Sequence, residues 1–356
     1  MKFIIVTPVW NTEIFHPHMT RIQQWIEVMQ LMNCQVLVYS LSGSAKKSKY
    51  LNPSIIEFLG VHPSFKKGKR IKKKGVNDIK EIRLRLKRII TANNKPFDDA
   101  DLILLSHPML VPCIINFNNK IILDFPDAPK SENDILKWGY KSLNEFKETT
   151  RGIEFSFLHS KEATFLIKSG LKNQIHTLIP SISIANPSKN KMELKEIISI
   201  HGRKSKDSLV IFNELYQVLK SNRLTKTIEI NVCGELSNLI SSCYEVNNIG
   251  VVSDMKSKLR NTICPVITKQ NPTGISMRII DIIESGGILV ASNSALIGYE
   301  ITDYPFTFQD IKNLPEIINT IILNPNEAIS NMKILQEKFI KMSDESNSKM
   351  YKLLIN

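Results

Sequence analysis

Arg278 and Asp281 stand three positions apart behind the tetrapeptide Thr273-Gly274-Ile275-Ser276, in the segment NPTGISMRIIDIIESGGILVASNSALIGYE at 271–300. The apolar periodicity after Ser276 predicts a helix. The SGG that follows predicts a turn, and ILVA a buried strand. Residues three apart on a helix share a face. The first N–H groups of a helix lack an intrahelical acceptor and carry partial positive charge, so residues 274–276 can hold a phosphate. A cation for phosphate and a carboxylate for sugar hydroxyls, placed together, suit a nucleotide-sugar. The bland alternative is a surface ion pair worth about 0.2–0.5 kcal/mol. Gly274 and the glycine turn on either side favour the first reading.

Short apolar runs alternate with segments of helical period along the whole chain. Strands are expected at 3–7, 35–40, 102–105, 120–124 and 155–159, with an amphipathic helix at 20–32. The pattern weakens over IPSISIANPSKNKMEL, a stretch rich in Pro, Ser, Asn and Lys that reads as a linker. It restarts with strands at 197–200, 228–233, 264–268 and 288–291 and helices at 208–220, 254–261 and 276–284. Two more helices are expected at 310–323 and 326–341. Strand and helix alternating on this scale imply parallel sheets covered on both faces. Apolar runs without alternation are what buried parallel strands require. The expected architecture is α/β, with two Rossmann-like domains at 1–182 and 196–356, a linker at 183–195 and a cleft between the domains.

The C-terminal half resembles the retaining glycosyltransferases of the GT-B fold, family 4 type. The resemblance rests on Gly274, Arg278, Ile279-Ile280, Asp281, Ser285-Gly286-Gly287 and Ile288-Leu289-Val290. A second element, a Gly-Arg and then a lysine after the domain's first strand, stands as Gly202, Arg203 and Lys206 within HGRKSK. Val232-Cys233-Gly234 and Gly250-Val251-Val252-Ser253 match in kind and spacing. In the first half, the strand ending Leu105-Ser106-His107 is similar to the family's strand whose histidine faces the donor sugar. The resemblance implies a nucleotide-sugar donor bound by Gly202, Arg203, Lys206, Gly274, Ser276, Arg278 and Asp281. It implies that His107 contacts the sugar, and that His107, Arg203 and Lys206 carry the chemistry. It further implies retention of configuration and a reaction without metal or resident cofactor. Asp124 and Asp127 are candidates to position the acceptor, with an ordinary Pro-containing turn as the alternative. Two features depart from the family pattern. Thr273 is neutral where a glutamate is common, and the segment 8–18 lacks a glycine-rich loop. They keep open a nucleotide-sugar epimerase or a non-catalytic subunit of the same fold.

At 356 residues, with 42% hydrophobic and 23% charged residues, the composition is that of a globular protein with room for two cores. Five scattered cysteines without a C-x-x-C pair suggest neither a disulfide framework nor a zinc site. The short apolar start MKFIIVT reads as a first strand rather than a signal peptide. A cytoplasmic setting is expected. The net charge of +13 concentrates at 66–88, where twelve Lys and Arg face only Asp78 and Glu81. Apolar Ile79, Ile82, Leu86 and Ile89 at helical spacing between the cations predict a cationic amphipathic helix. Such a helix suits the anionic inner face of a plasma membrane, where a lipid-linked or glycan acceptor would be found. The alternatives are a helix whose apolar stripe covers the first domain, and a nucleic-acid-binding segment. Phe65 is its one aromatic neighbour, so a stacking platform is poorly supported and nucleic acid is not the expected partner.

Overall fold

The computed structural model describes residues 1–7, 17–40, 56–60, 83–84, 86–88, 90–91, 94–114, 116–125, 128–182, 193–252, 254–268, 275–299 and 301–355. The chain divides into two compact units, Met1–Pro180 with Glu345–Asn356, and Ser181–Asp344.

In the first unit the strands are β1 (Lys2–Thr7), β2 (Gln35–Ser40), β3 (Ile56–Gly60), β4 (Leu102–Leu105), β5 (Lys120–Asp124), β6 (Glu154–Phe157) and β7 (Ile175–Thr177). They form one sheet in the order β3-β2-β1-β4-β5-β6-β7. Every pairing in it is parallel. Phe3, Ile4, Ile5 and Val6 are all buried, and so are Leu102, Ile103, Leu104 and Leu105. Full burial on both faces explains why these strands read as apolar runs. The helix Pro17–Leu31 packs Ile22, Trp25, Ile26 and Met29 on one face of the sheet. On the other face lie Phe97, Leu110, Phe125, Phe146 and Phe155.

In the second unit the strands are β8 (Ile197–His201), β9 (Glu229–Cys233), β10 (Asn247–Gly250), β11 (Ile263–Val266), β12 (Ile288–Ser292) and β13 (Thr307–Phe308). Their order is β10-β9-β8-β11-β12-β13, again with parallel pairings throughout. From β8 the chain builds one edge through β9 and β10. It then crosses back to place β11 on the other side of β8. That reversal opens a crevice at the carboxyl ends of β8 and β11, where ligands of open α/β sheets bind. The first unit has the same reversal between β1 and β4.

The helix Met277–Ser285 ends in a tight turn. Gly286 adopts φ 75°, its N–H bonds the Ile283 carbonyl at 3.2 Å, and the Gly287 N–H bonds the Ile282 carbonyl at 3.1 Å. This paired closure of helix carbonyls needs a left-handed residue, hence glycine. Gly287 has a different reason. A Cβ there would lie 2.8 Å from the Leu259 carbonyl oxygen and 3.0 Å from Cys264 Sγ.

One boundary differs from the sequence expectation. The second domain does not run to residue 356, because residues 345–356 belong to the first unit. The last helix is continuous over Pro325–Ile355, well past the expected end at 341. Its final turns bury Met350, Leu353 and Leu354 with Phe3, Ile5, Trp25 and Leu178. Lys120 Nζ donates to the Leu353 carbonyl at 2.8 Å and pairs with Glu154 at 3.2 Å. A cation thus meets the partial negative charge at the helix's C-terminal end. The expected linker at 183–195 lies largely outside the described residues. Short strands β3, β7, β10 and β13 are additions to the expected set.

Cys34, Cys113, Cys233 and Cys264 are buried and Cys243 is exposed. Burial pushes the Cys113 thiol up to about 11 and the Cys264 thiol up to about 12. Thiolate is the nucleophile, so both are inert at neutral pH. Ellman's reagent is expected to find one fast thiol in the native protein, abolished by Cys243→Ser, and four more only after unfolding. Rapid release of two or more native thiols would contradict the burial of Cys34, Cys113, Cys233 and Cys264.

Candidate functional site

The site residues of the second unit gather at the carboxyl edge of its sheet. His201 ends β8, Gly202 and Arg203 follow, and Lys206 opens the helix Lys206–Ser221. Ser205 caps that helix by accepting from the Ser208 N–H at 3.0 Å. The chain can turn this sharply because Gly234, after β9, takes φ 78° and brings its backbone against Gly202. A Cβ on Gly234 would lie 2.9 Å from the Gly202 carbonyl oxygen. Leu236 donates its N–H to that same oxygen at 3.0 Å. Gly202 itself has no such constraint. A Cβ there would meet Leu236 Cδ2 at 3.5 Å, Leu236 Cβ at 3.6 Å and Ser208 Oγ at 3.9 Å, all ordinary contacts.

Arg278 lies in the first turn of the helix Met277–Ser285, beside the exit of β11. Its Nη2 donates to the Ile267 carbonyl at 2.8 Å. That exit is held from the neighbouring strand, with the Thr268 N–H donating to Ser292 Oγ at 3.2 Å and Thr268 Oγ1 to Ser294 Oγ at 3.0 Å. Arg278 and Gly202 line one small recess, together with Ile200, Leu236, Pro265 and Ile267. Gly202 and Arg278, 76 positions apart and from the two sequence elements singled out for the donor, therefore meet at the crevice between β8 and β11. Burial pulls the Arg278 pKa down, and the Asp281 charge pushes it back up. Among the described residues no carboxylate lies within ion-pair distance of Arg278, so the surface-pair reading of Arg278 and Asp281 is not what the structure shows.

Asp281 instead faces His201. His201 Nε2 lies 3.6 Å from Asp281 Oδ2, and the histidine is buried. Its Nε2 has no hydrogen-bond partner among the described residues. Sequence reasoning quoted His201 without giving it a role. The available signal was its place at the strand end directly before Gly202. Tyr299 completes this corner. It is buried, and its hydroxyl donates to the Ser276 carbonyl at 3.0 Å, fixing the residue that precedes the helix. Desolvation first, and the Asp281 charge second, hold its hydroxyl well above the usual phenol range. Ser276 makes no side-chain capping bond. Arg203 and Lys206 are exposed. Gly274 and Thr273 lie outside the described residues, as does Asp127.

In the first unit His107 follows β4 at that sheet's reversal point and precedes the short helical turn Pro108–Cys113. Its Nδ1 accepts from the Met109 N–H at 3.1 Å, and its ring meets Trp138 edge-on at 6.0 Å. Asp124 does not present its carboxylate for an acceptor. It is buried at the end of β5, and Arg21 Nε reaches both its oxygens at 3.2 Å. Arg21 Nη2 adds Asp124 Oδ1 at 3.2 Å and Ser156 Oγ at 2.9 Å, while Nη1 reaches Gln24 Oε1 at 3.1 Å. Among the described residues no three His, Cys, Asp or Glu side chains are grouped to hold a metal ion. No described helix is long and apolar enough to cross a membrane.

The described end of the basic segment is helical at 83–84, 86–88 and 90–91. Leu86 and Ile90 are buried in the first unit's core, so here the apolar stripe covers the domain. Ile79, Ile82 and Ile89, and the cations of 66–80, lie outside the described residues.

No protein-family model matches the chain, and no curated protein matches it by sequence. Solved structures do match by fold. HepE from Anabaena, determined with UDP, aligns over 99% of this chain and 100% of its own at 11% identity, with a TM-score of 0.66. A variant of S. aureus TarM, in complex with fondaparinux, α-GlcNAc-glycerol and UDP, covers 100% and 99% at 10% identity, TM-score 0.70. A glycosyltransferase from Rickettsia africae covers 100% and 98% at 13% identity, TM-score 0.65. The fold is that of GT-B proteins, with two Rossmann-like domains.

Asp124→Ala is expected to cost about 3–5 kcal/mol, because it strands the buried Arg21 guanidinium without its counter-charge. Urea unfolding monitored by Trp fluorescence reads this as a lowered midpoint. An unchanged midpoint would return Asp124 to the candidates for acceptor binding.

Proposed function

We propose that the chain is a glycosyltransferase that moves a sugar from a nucleotide-sugar to a glycan or lipid-linked acceptor in cell-surface polysaccharide synthesis. The observation that carries the reading is Arg278. A half-buried guanidinium, its charge disfavoured by desolvation, stands at a helix N-terminus near Gly202 at the sheet's reversal point and has no carboxylate partner among the described residues. Withdrawing a charge from water without a counter-charge is costly. A diphosphate would supply that counter-charge.

Breaking a sugar–diphosphate bond leaves negative charge on the departing phosphate oxygen. Donors fixed before the reaction stabilise that charge without reorganising. In this reading Arg278 offers its remaining N–H groups to the diphosphate, and the first turn of Met277–Ser285 adds its dipole. Arg203 and Lys206 contribute exposed, salt-screened charge. Gly202 lets the ligand approach the backbone, which agrees with the absence of any packing demand for glycine there. Asp281 accepts ribose hydroxyls, with His201 beside it. The resemblance gives His107 the contact with the transferred sugar, retention of configuration, and turnover without a metal ion. Two of the similar structures hold UDP, which makes a uridine diphosphate-sugar the first donor to test.

Association with an anionic membrane surface fits the same reading. With Leu86 and Ile90 in the core, the attraction would be carried by the cations of 66–80, each contributing about 1 kcal/mol near the surface. Flotation with phosphatidylserine vesicles is then expected at low salt and lost at high salt.

Calorimetric titration with UDP tests the donor site. Arg278→Ala is expected to weaken UDP at least 30-fold, a loss of about 2 kcal/mol for a desolvated charge contact. Gly202→Ala should fold with an unchanged melting temperature yet bind UDP more weakly. UDP affinity unchanged in a folded Arg278→Ala protein would remove the donor site from this corner.

A further inference from the structure

Arg83 is one of twelve cations in a segment whose charge suggests a solvated face, yet its guanidinium is spent inside the first unit. Its Nε donates to the Met109 carbonyl, Nη1 to the Gly139 carbonyl and Nη2 to the Trp138 carbonyl, each at 2.8 Å. Its Cζ sits 4.8 Å from the centre of the Tyr140 ring. Tyr140 is buried and donates its hydroxyl to the Pro108 carbonyl at 2.8 Å. Arg83 and Tyr140 therefore hold two successive carbonyls of the turn that begins at His107, and Arg83 also holds the backbone of Trp138.

Both backbones bear on the His107 ring. The Met109 N–H donates to Nδ1, and the Trp138 indole meets the ring edge-on at 6.0 Å. A nitrogen that accepts a hydrogen bond carries no proton, so the neutral imidazole is the Nε2–H tautomer. We propose that Arg83 is a positioning residue for His107. By gripping the Met109 and Trp138 backbones it locks the imidazole in place and leaves its proton on Nε2. The geometry asks for a planar fork. Three carbonyls in three directions match Nε, Nη1 and Nη2, while the point charge of a lysine reaches at most part of that set. The Met109 N–H that fixes the tautomer belongs to the peptide whose carbonyl Tyr140 holds, and Arg83 holds the carbonyl of the next peptide, so the two side chains pin Met109 from both sides.

The consequence for turnover rests on the functional reading above, but the tautomer does not, and the experiment separates the two. Imidazole 15N spectra of full-length protein labelled at histidine, with the His107 signals assigned by their loss in His107→Gln, should show a single Nε2–H form. In Arg83→Lys the His107 signals should move toward a mixture of tautomers. With UDP-sugar and acceptor, Arg83→Lys should lower kcat at least tenfold and leave the UDP dissociation constant within twofold. Adding Arg83→Lys to His107→Ala should cause no further loss, since residues that act through one another are not additive. Tyr140→Phe, which frees only the Pro108 carbonyl, should give the same shift in smaller measure and serves if Arg83→Lys does not fold. An unchanged tautomer in a folded variant would falsify the proposal, and so would a fully additive loss in the double variant. A wild-type protein with no turnover on any donor would count against the functional reading, with the tautomer of Arg83→Lys still deciding this one.

Discussion

A guanidinium drawn out of water must find partners for five N–H groups and one positive charge, and three arginines of this chain, Arg21 buried and Arg83 and Arg278 half-buried, solve that problem to different degrees. Arg21 has a carboxylate, a hydroxyl and an amide oxygen around it, and its charge is cancelled by Asp124. Among the described residues Arg83 has three carbonyls and an aromatic face, good acceptors but no counter-charge, and Arg278 has one carbonyl, that of Ile267. The progression separates a residue that only builds the fold from one that holds a loop, and both from one still short of a partner. The account of this molecule depends on the third.

Topology explains why the shortfall falls where it does. The reversal between β8 and β11 leaves two strand ends diverging, so nothing of the sheet fills the space above them. The chain lines that space with the least bulky exit available on one side, Gly202 pressed by Gly234, and with a helix N-terminus on the other. Tyr299 ties down the residue before the helix and Ser292 the exit of β11, so both described ends of the corner are held by hydrogen bonds within the unit. Preorganisation of this kind lets fixed charges act on a developing one without rearranging.

Much of this was legible in the sequence, and the reasons are local. Strands β1, β4, β8 and β12 declared themselves because strands buried on both faces are predominantly apolar. The Ser285-Gly286-Gly287 turn was readable because a helix end in this geometry needs a left-handed residue. Other features left no such mark. The last helix runs past the expected 341 through the polar stretch MSDESNSK, where Ser343 and Ser346 are buried and bonded, the latter to the Ile179 carbonyl at 2.8 Å. Strand β10 reads NNIG and has no apolar run to announce it. Asp124 at a strand end looked available because nothing in its neighbourhood of sequence names Arg21, 103 positions earlier. Arg83 was hidden among eleven other cations, and His201 by standing beside a motif rather than in it. Each miss is a tertiary pairing across a long sequence separation, which periodicity does not encode.

The most direct measurement is a crystal structure of the protein grown with UDP. The account predicts the diphosphate over the first turn of Met277–Ser285, with its oxygens within hydrogen-bond reach of the Arg278 guanidinium and close to the Gly202 backbone. A diphosphate bound elsewhere, with Arg278 still engaged only by the Ile267 carbonyl, would contradict it.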